Sequence, residues 1–131
     1  LTQAVSTGLS INVQRAEELK KQKGLMGKGG EYEVSTLMLP YLDVILNEAK
    51  RVKDSYEKTH SVELARVIIA GGGANLLGIE TRASEALQIP VVKAEPFEGT
   101  VVYPQAIAPI LKQLGAPFAV ALGLGMRNFN K

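Results

Sequence analysis

The stretch that decides the fold reads RVIIAGGGANLLGI, residues 66–79. Val67, Ile68, Ile69 and Ala70 form a short apolar run stopped by glycine. β-Branched side chains suit a pleated surface, so the run predicts a buried strand rather than a helix. Gly71, Gly72 and Gly73 follow, then Ala74, Asn75, Leu76, Leu77 and Gly78. Without Cβ atoms, glycines let the backbone turn sharply and let a flat or anionic ligand reach the main chain. A helix after such a turn aims its free N–H groups at the same place. That is a nucleotide-site geometry. The spacing is not the dinucleotide fingerprint, whose third glycine would fall at Leu76, and no Lys with Ser or Thr completes a P-loop. On the residues alone, a tight strand-to-helix turn and a ligand loop both fit.

On the N-terminal side, Leu1, Val5 and Leu9 have the spacing of a short helix that Gly8 can stop. Asn12 is positioned to cap a second helix over Val13–Lys23, with Val13, Ala16 and Leu19 inward, Glu17, Glu18, Lys20 and Lys21 outward, and Gly24 closing it. Met26, Gly27, Lys28, Gly29 and Gly30 read as a loop. The longest helix is predicted to begin near Ser35, with Pro40 in or near its first turn. Leu42, Ile45, Leu46, Ala49, Val52 and Tyr56 recur along it at helical spacing. Thr59, His60 and Ser61 make a polar break before the glycine-rich strand.

On the C-terminal side, residues 80–87 continue as a helix and 89–93 as a strand, with 100–103 as a third extended piece. Pro104 and Pro109 bracket a turn or short helix. The small and apolar residues of 117–127 predict a helix pressed against a sheet, and 128–131 a frayed tail. Strands alternating with helices make the chain α/β. Two or three strands are fewer than the usual sheet of about 4 to 6. The sheet is therefore expected to be incomplete, its other strands supplied by chain outside these residues or by a second copy.

Composition sets the limits. The chain has 131 residues, one domain's worth, and fifteen basic against thirteen acidic residues leave a net charge of +2. That balance argues against a nucleic-acid partner. There is no cysteine and a single histidine, which excludes disulfides, thiolate metal sites and a cysteine nucleophile. The longest apolar stretch, 115–126, is twelve residues, short of the roughly 20 a spanning helix needs. The start at Leu1, with no initiator Met or signal-peptide layout, predicts a piece of a longer protein.

The order of these pieces carries a resemblance. An Ala16, Glu17, Glu18, Leu19, Lys20 run on a helix precedes a long helix, then a strand into Gly71–Gly73, Ala74 and Asn75; the chain ends on Pro117, Phe118, Ala119, Val120, Ala121, Leu122, Gly123. The layout resembles the actin and Hsp70-like ATPase superfamily of ribonuclease H-like folds. Within it, the likeness is to the C-terminal third of the PilM family of type IV pilus assembly proteins, relatives of the cell-division protein FtsA. The likeness spans nearly the whole chain. The glycine motif alone identifies only the superfamily.

The resemblance implies that residues 1–131 are the C-terminal segment of the second domain of such an ATPase, with 1–34 from its outer helical subdomain and 35–131 from its core. It implies that ATP is the ligand and that this segment supplies the adenosine half of the cleft. Gly71, Gly72 and Gly73 would lie against adenine and sugar, with Asn75 near the rim. Glu17 and Lys20 would contact ribose and adenine, with Lys21 as a neighbouring basic contact. A carboxylate can accept from ribose hydroxyls, and a lysine stem can cover a purine face. On spacing alone, Glu17 and Lys20 read as an exposed helical ion pair, and only the motif context favours the ligand role. The family's phosphate loops and magnesium-holding carboxylates lie upstream of Leu1, so this segment alone is not expected to hydrolyse ATP.

The function implied is a nucleotide-responsive scaffold, cytoplasmic and peripheral to the inner membrane, serving a type IV pilus or a type II secretion-like system. A PilN-like inner-membrane protein, docked through the first domain, and other pilus assembly proteins would be its partners, with a homo-oligomer as a further expectation. Two alternatives share the superfamily: a sugar-kinase-like phosphotransferase and an FtsA-like or actin-like filament protein. A hydrolase built on His60 is disfavoured, because no strand-turn-helix elbow lies near it. Lys50, Arg51 and Lys53 read as a solvated helix face, and Met26 and Met38 as loop and core.

Overall fold

The protein's structure, a computed structural model, describes residues 1–25 and 32–127. The order is α1 (Thr2–Gly8), α2 (Val13–Lys23), α3 (Tyr32–His60), β1 (Val67–Ile69), a 3-10 turn (Gly72–Asn75), α4 (Ile79–Leu87), β2 (Val91–Lys93), a second 3-10 turn (Gln105–Ile107) and α5 (Ala108–Met126). The loop expected at 26–30 and the tail at 128–131 lie outside the described residues. β1 and β2 pair in a two-stranded sheet. The Val67 N–H donates to the Pro90 carbonyl and the Ala94 N–H to that of Ile69, the slanted pattern of parallel strands joined by a helical crossover, here α4. The α/β class with an incomplete sheet is what the sequence predicts.

The chain forms two compact units, Leu1–Val67 with Leu76–Val91, and Ile68–Asn75 with Val92–Lys131. In the first, α1 packs on α2, and α3 packs on α1, α2 and α4. Its core is Val5, Ala16, Val34, Met38, Leu42, Leu46, Leu76, Ile79, Ala83, Leu87 and Val91. The subdomain boundary expected at 34 and 35 falls inside this unit.

α2 starts and stops where the sequence predicts: Asn12 accepts the Arg15 N–H, and Gly24 closes the helix with a φ of +55°. Within it Val13 is exposed, so its inward face narrows to Ala16 with Leu19 half-buried. α3 begins at Tyr32, not near Ser35, so Pro40 sits in its interior rather than its first turn. Leu42 and Leu46 are buried as expected, whereas Ile45, Val52 and Tyr56 are exposed.

In the second unit, the 3-10 turn packs on α5, with Ala74, Gly115 and Ala116 buried. Four expectations are corrected here. The strand is three residues long without Ala70, and Ile68 is 58 % exposed rather than buried. The glycines lead into a 3-10 turn, and the α-helix begins only at Ile79, so the helix does not open directly on the glycines. Residues 100–103 form no strand. Val101 and Val102 have β-favouring side chains, but among the described residues no strand pairs with them. Finally, α5 runs unbroken through Pro117, and Val120 and Leu124 are exposed rather than pressed on a sheet. The unbroken helix makes Gln105–Met126, 22 residues, long and apolar enough by length and composition to cross a membrane. The apolar run of 115–126 is shorter than this helix because Lys112 and Gln113 interrupt the run but not the helix.

Candidate functional site

The expected adenosine contacts fall into two groups. On α2, the three-residue spacing puts Glu17 and Lys20 on one face, 2.6 Å apart, with Lys21 reaching the other Glu17 oxygen at 3.7 Å. Thr2, on α1, completes the cluster. Its hydroxyl donates to Glu17 Oε2 and accepts from Lys20 Nζ at 3.0 Å. The Lys20 hydrogen bond, then the Thr2 hydrogen bond, hold the Glu17 carboxyl below the usual carboxylate range. Lys20 is more sequestered than Glu17, and Lys21 is exposed. The pair is thus an ion pair with a hydroxyl bridge, and any ligand that uses Glu17 or Lys20 competes with Thr2.

The second group is the glycine turn. Gly71 takes a φ of +84°, a left-handed conformation that explains why glycine stands there. Its N–H donates to the Ala116 carbonyl at 2.7 Å. Gly72 and Gly73 are different. Neither has a positive φ, and a Cβ on either would meet no atom within 4 Å. Nothing in the packing of the described residues requires them to lack a side chain. An open, exposed backbone at two consecutive residues is what a flat ligand lying on the main chain needs.

Asn75 ends the turn with both polar atoms engaged. Its Nδ2 donates to the Gln113 carbonyl at 2.8 Å, and its Oδ1 accepts from Lys93 Nζ at 2.7 Å. It braces the turn against α5 and β2. The structure therefore groups Glu17, Lys20 and Lys21 in the first unit, and Gly71, Gly72, Gly73 and Asn75 in the second.

The family model of type IV pilus assembly protein PilM matches residues 1–129. The chain belongs to the PilM family. Among solved structures, one described as "PilM-PilN type IV pilus biogenesis complex" is similar, with a TM-score of 0.78 at 24 % identity. The match covers 96 % of this chain and 35 % of that one. At that identity the likeness shows the fold, an incomplete parallel sheet flanked by helices as in PilM. This chain spans about a third of the solved PilM-PilN chain's length. No curated protein matches the chain.

For this PilM-family chain, sequence reasoning missed Thr2, Lys93, Gly115 and the two acceptor carbonyls on α5. Gly115 had a legible signal: a Cβ there would stand 3.2 Å from Pro96 Cδ and 3.5 Å from the Ala94 carbonyl. A glycine beside a small residue in a helix marks close approach. Thr2 and the carbonyls carry no signal, because a hydroxyl far off in sequence and a backbone oxygen look the same in any chain.

Proposed function

We propose that this segment is the adenosine-facing part of a nucleotide-responsive PilM-type scaffold for type IV pilus assembly. The observation that carries the reading is the Gly72–Gly73 backbone, bare of side chains although no described residue lies where a Cβ would stand. Adenine or its sugar lies on that backbone, and Gly71 and Asn75 hold the turn's two ends. For the set on α2 the proposal is chemical. Glu17 accepts from ribose hydroxyls and the Lys20 stem covers a purine face once each has released Thr2.

Phosphate and magnesium contacts come from the upstream part of the longer chain that the family resemblance implies. ATP then sets the shape that the scaffold offers to its partners, a population shift rather than a chemical step. A PilN-like protein is the proposed partner, by analogy with the similar complex. The cytoplasmic face of the inner membrane is the proposed place.

The test is calorimetric titration of the longer protein with ATP, for the wild type, Gly72→Val and Glu17→Ala/Lys20→Ala. Binding lost in Gly72→Val with an unchanged melting temperature supports the glycine turn as the adenosine surface. ATP affinity unchanged in all variants would overturn it and leave an interaction module without nucleotide. Turnover with a sugar acceptor, or nucleotide-dependent sedimentation, would instead favour the kinase or filament reading.

A further inference from the structure

We infer that Pro117 positions the glycine turn, by turning one carbonyl of α5 over to Asn75. In an unbroken α-helix the N–H of residue 117 donates to the carbonyl of Gln113. Proline has no N–H, and its ring crowds that same carbonyl and pushes it outward. Here the Gln113 carbonyl accepts from Asn75 Nδ2 at 2.8 Å. Ala116, just before the proline, accepts the Gly71 N–H at 2.7 Å. The two bonds fasten the first and last residues of Gly71–Asn75 to one turn of α5.

Asn75 has only one orientation that fits. Lys93 Nζ lies 2.7 Å from Oδ1, and a flipped amide would set its NH2 against an ammonium and its oxygen against a carbonyl. Ala74 is buried between these anchors, and Gly115 brings α5 within van der Waals contact of Pro96 and Ala94. Only Gly72 and Gly73, between the two fastenings, are left bare. A helix that carries a proline in its middle gives up a bond that an ordinary helix keeps. On α5 that bond goes to the turn.

Asn75 and Pro117 are thus positioning residues for the surface proposed above to bind adenosine, and the inference rests on that reading only for its ligand. Its test has an arm that needs no nucleotide. Amide hydrogen exchange at Gly71 is measured in the longer protein without ligand, for the wild type, Pro117→Ala, Asn75→Ala and the double variant, alongside melting temperature and ATP titration. Pro117→Ala restores the helical donor to the Gln113 carbonyl. The expected result is about tenfold faster exchange at Gly71, the effect of losing one ordinary hydrogen bond, with a melting temperature that stays or rises. ATP affinity is expected to fall about tenfold by the same loss.

Asn75→Ala should do the same, and the double variant no more than either single one, since both cut one link. Asn75→Asp, which keeps Lys93 but sets an oxygen against the carbonyl, is the second variant should Pro117→Ala not fold. It too should speed exchange. Unchanged exchange at Gly71 in both Pro117→Ala and Asn75→Asp would overturn the inference, as would fully additive effects. If the wild type binds no ATP, the adenosine reading fails while the exchange result still decides the positioning.

Discussion

Gly24 and Leu77 meet backbone to backbone: a Cβ on Gly24 would stand 2.5 Å from the Cβ of Leu77 and 2.6 Å from its carbonyl oxygen. Around that point, the Leu25 N–H donates to the Leu77 carbonyl at 2.8 Å and the buried Ser35 hydroxyl to the Gly24 carbonyl at 3.2 Å. The end of α2 is thereby fixed to the segment that leads into α4.

Gly24→Ala is expected to be the most damaging single-methyl change in the first unit. The φ of +55° with ψ of −140° is foreign to side-chain-bearing residues, and the added carbon collides with backbone that cannot rotate away. Strain and overpacking together cost about 3 kcal/mol. Chemical denaturation would show a lower midpoint at an unchanged slope. A midpoint within error of the wild type would mean that the Gly24–Leu77 approach is not as close as described.

Two other glycines should separate packing from binding. Gly115→Ala adds a carbon 3.2 Å from the ring of Pro96, so α5 must shift by a few tenths of an ångström, at a cost of about 1 kcal/mol. Gly72→Ala adds a carbon that meets nothing within 4 Å, so its stability should stay within about 0.5 kcal/mol of the wild type. Thermal melts of the two variants give the comparison. A Gly72→Ala variant as unstable as Gly115→Ala would mean that the fold, not a ligand, needs that glycine.

The Glu17 cluster gives stability a defined acid limb. Its carboxyl is depressed by Lys20 first and Thr2 second, so the contribution is complete above the unfolded-state value, about 4.3. It is lost as pH falls through the lower, folded-state value. Glu17 is about one-third exposed, so solvent screening keeps the effect small. Glu17→Gln is expected to lower the melting temperature slightly at pH 7 and to converge on the wild type as pH falls through the depressed folded-state value of Glu17, below which both side chains are uncharged. A constant difference at every pH would show that Glu17 acts through packing, not charge.

What the sequence disclosed, and what it hid, follows the range of the interactions. α2 was legible to the residue because its signals are local: Asn12 reaches three residues to the Arg15 N–H, and Gly24 supplies its own left-handed stop. α5 is hard to read because Pro117 is a local breaker, and the Gln113 carbonyl it leaves without a helical donor is taken up by Asn75, 38 residues before Gln113 in sequence. Residues 100–103 look like a strand by propensity, but a strand exists only where a partner lies beside it, and Val102 is fully exposed. The site shows the same division. Gly71–Gly73 stood out as a motif, whereas the reason that Gly72 and Gly73 matter, the empty space beside them, is visible only in three dimensions.

The end of α3 offers a last test in which charge and hydrogen bonding come apart. Ser61 takes a φ of +51° as the chain leaves the helix, and Glu57 reaches past the turn. One of its oxygens accepts the Leu64 N–H at 3.0 Å and the other accepts from Lys53 Nζ at 2.8 Å. The Lys53 bond, then the Leu64 bond, hold the Glu57 carboxyl below its ordinary range. Glu57→Gln keeps an acceptor for Leu64 but removes the ion pair, whereas Glu57→Ala removes both. Amide exchange at Leu64 is therefore expected to stay slow in the glutamine variant and to rise about tenfold in the alanine variant, as loss of one hydrogen bond gives. Added salt should change the wild type slightly and the glutamine variant not at all. Equal exchange in the two variants would show that the charge, and not the acceptor, closes the turn into β1.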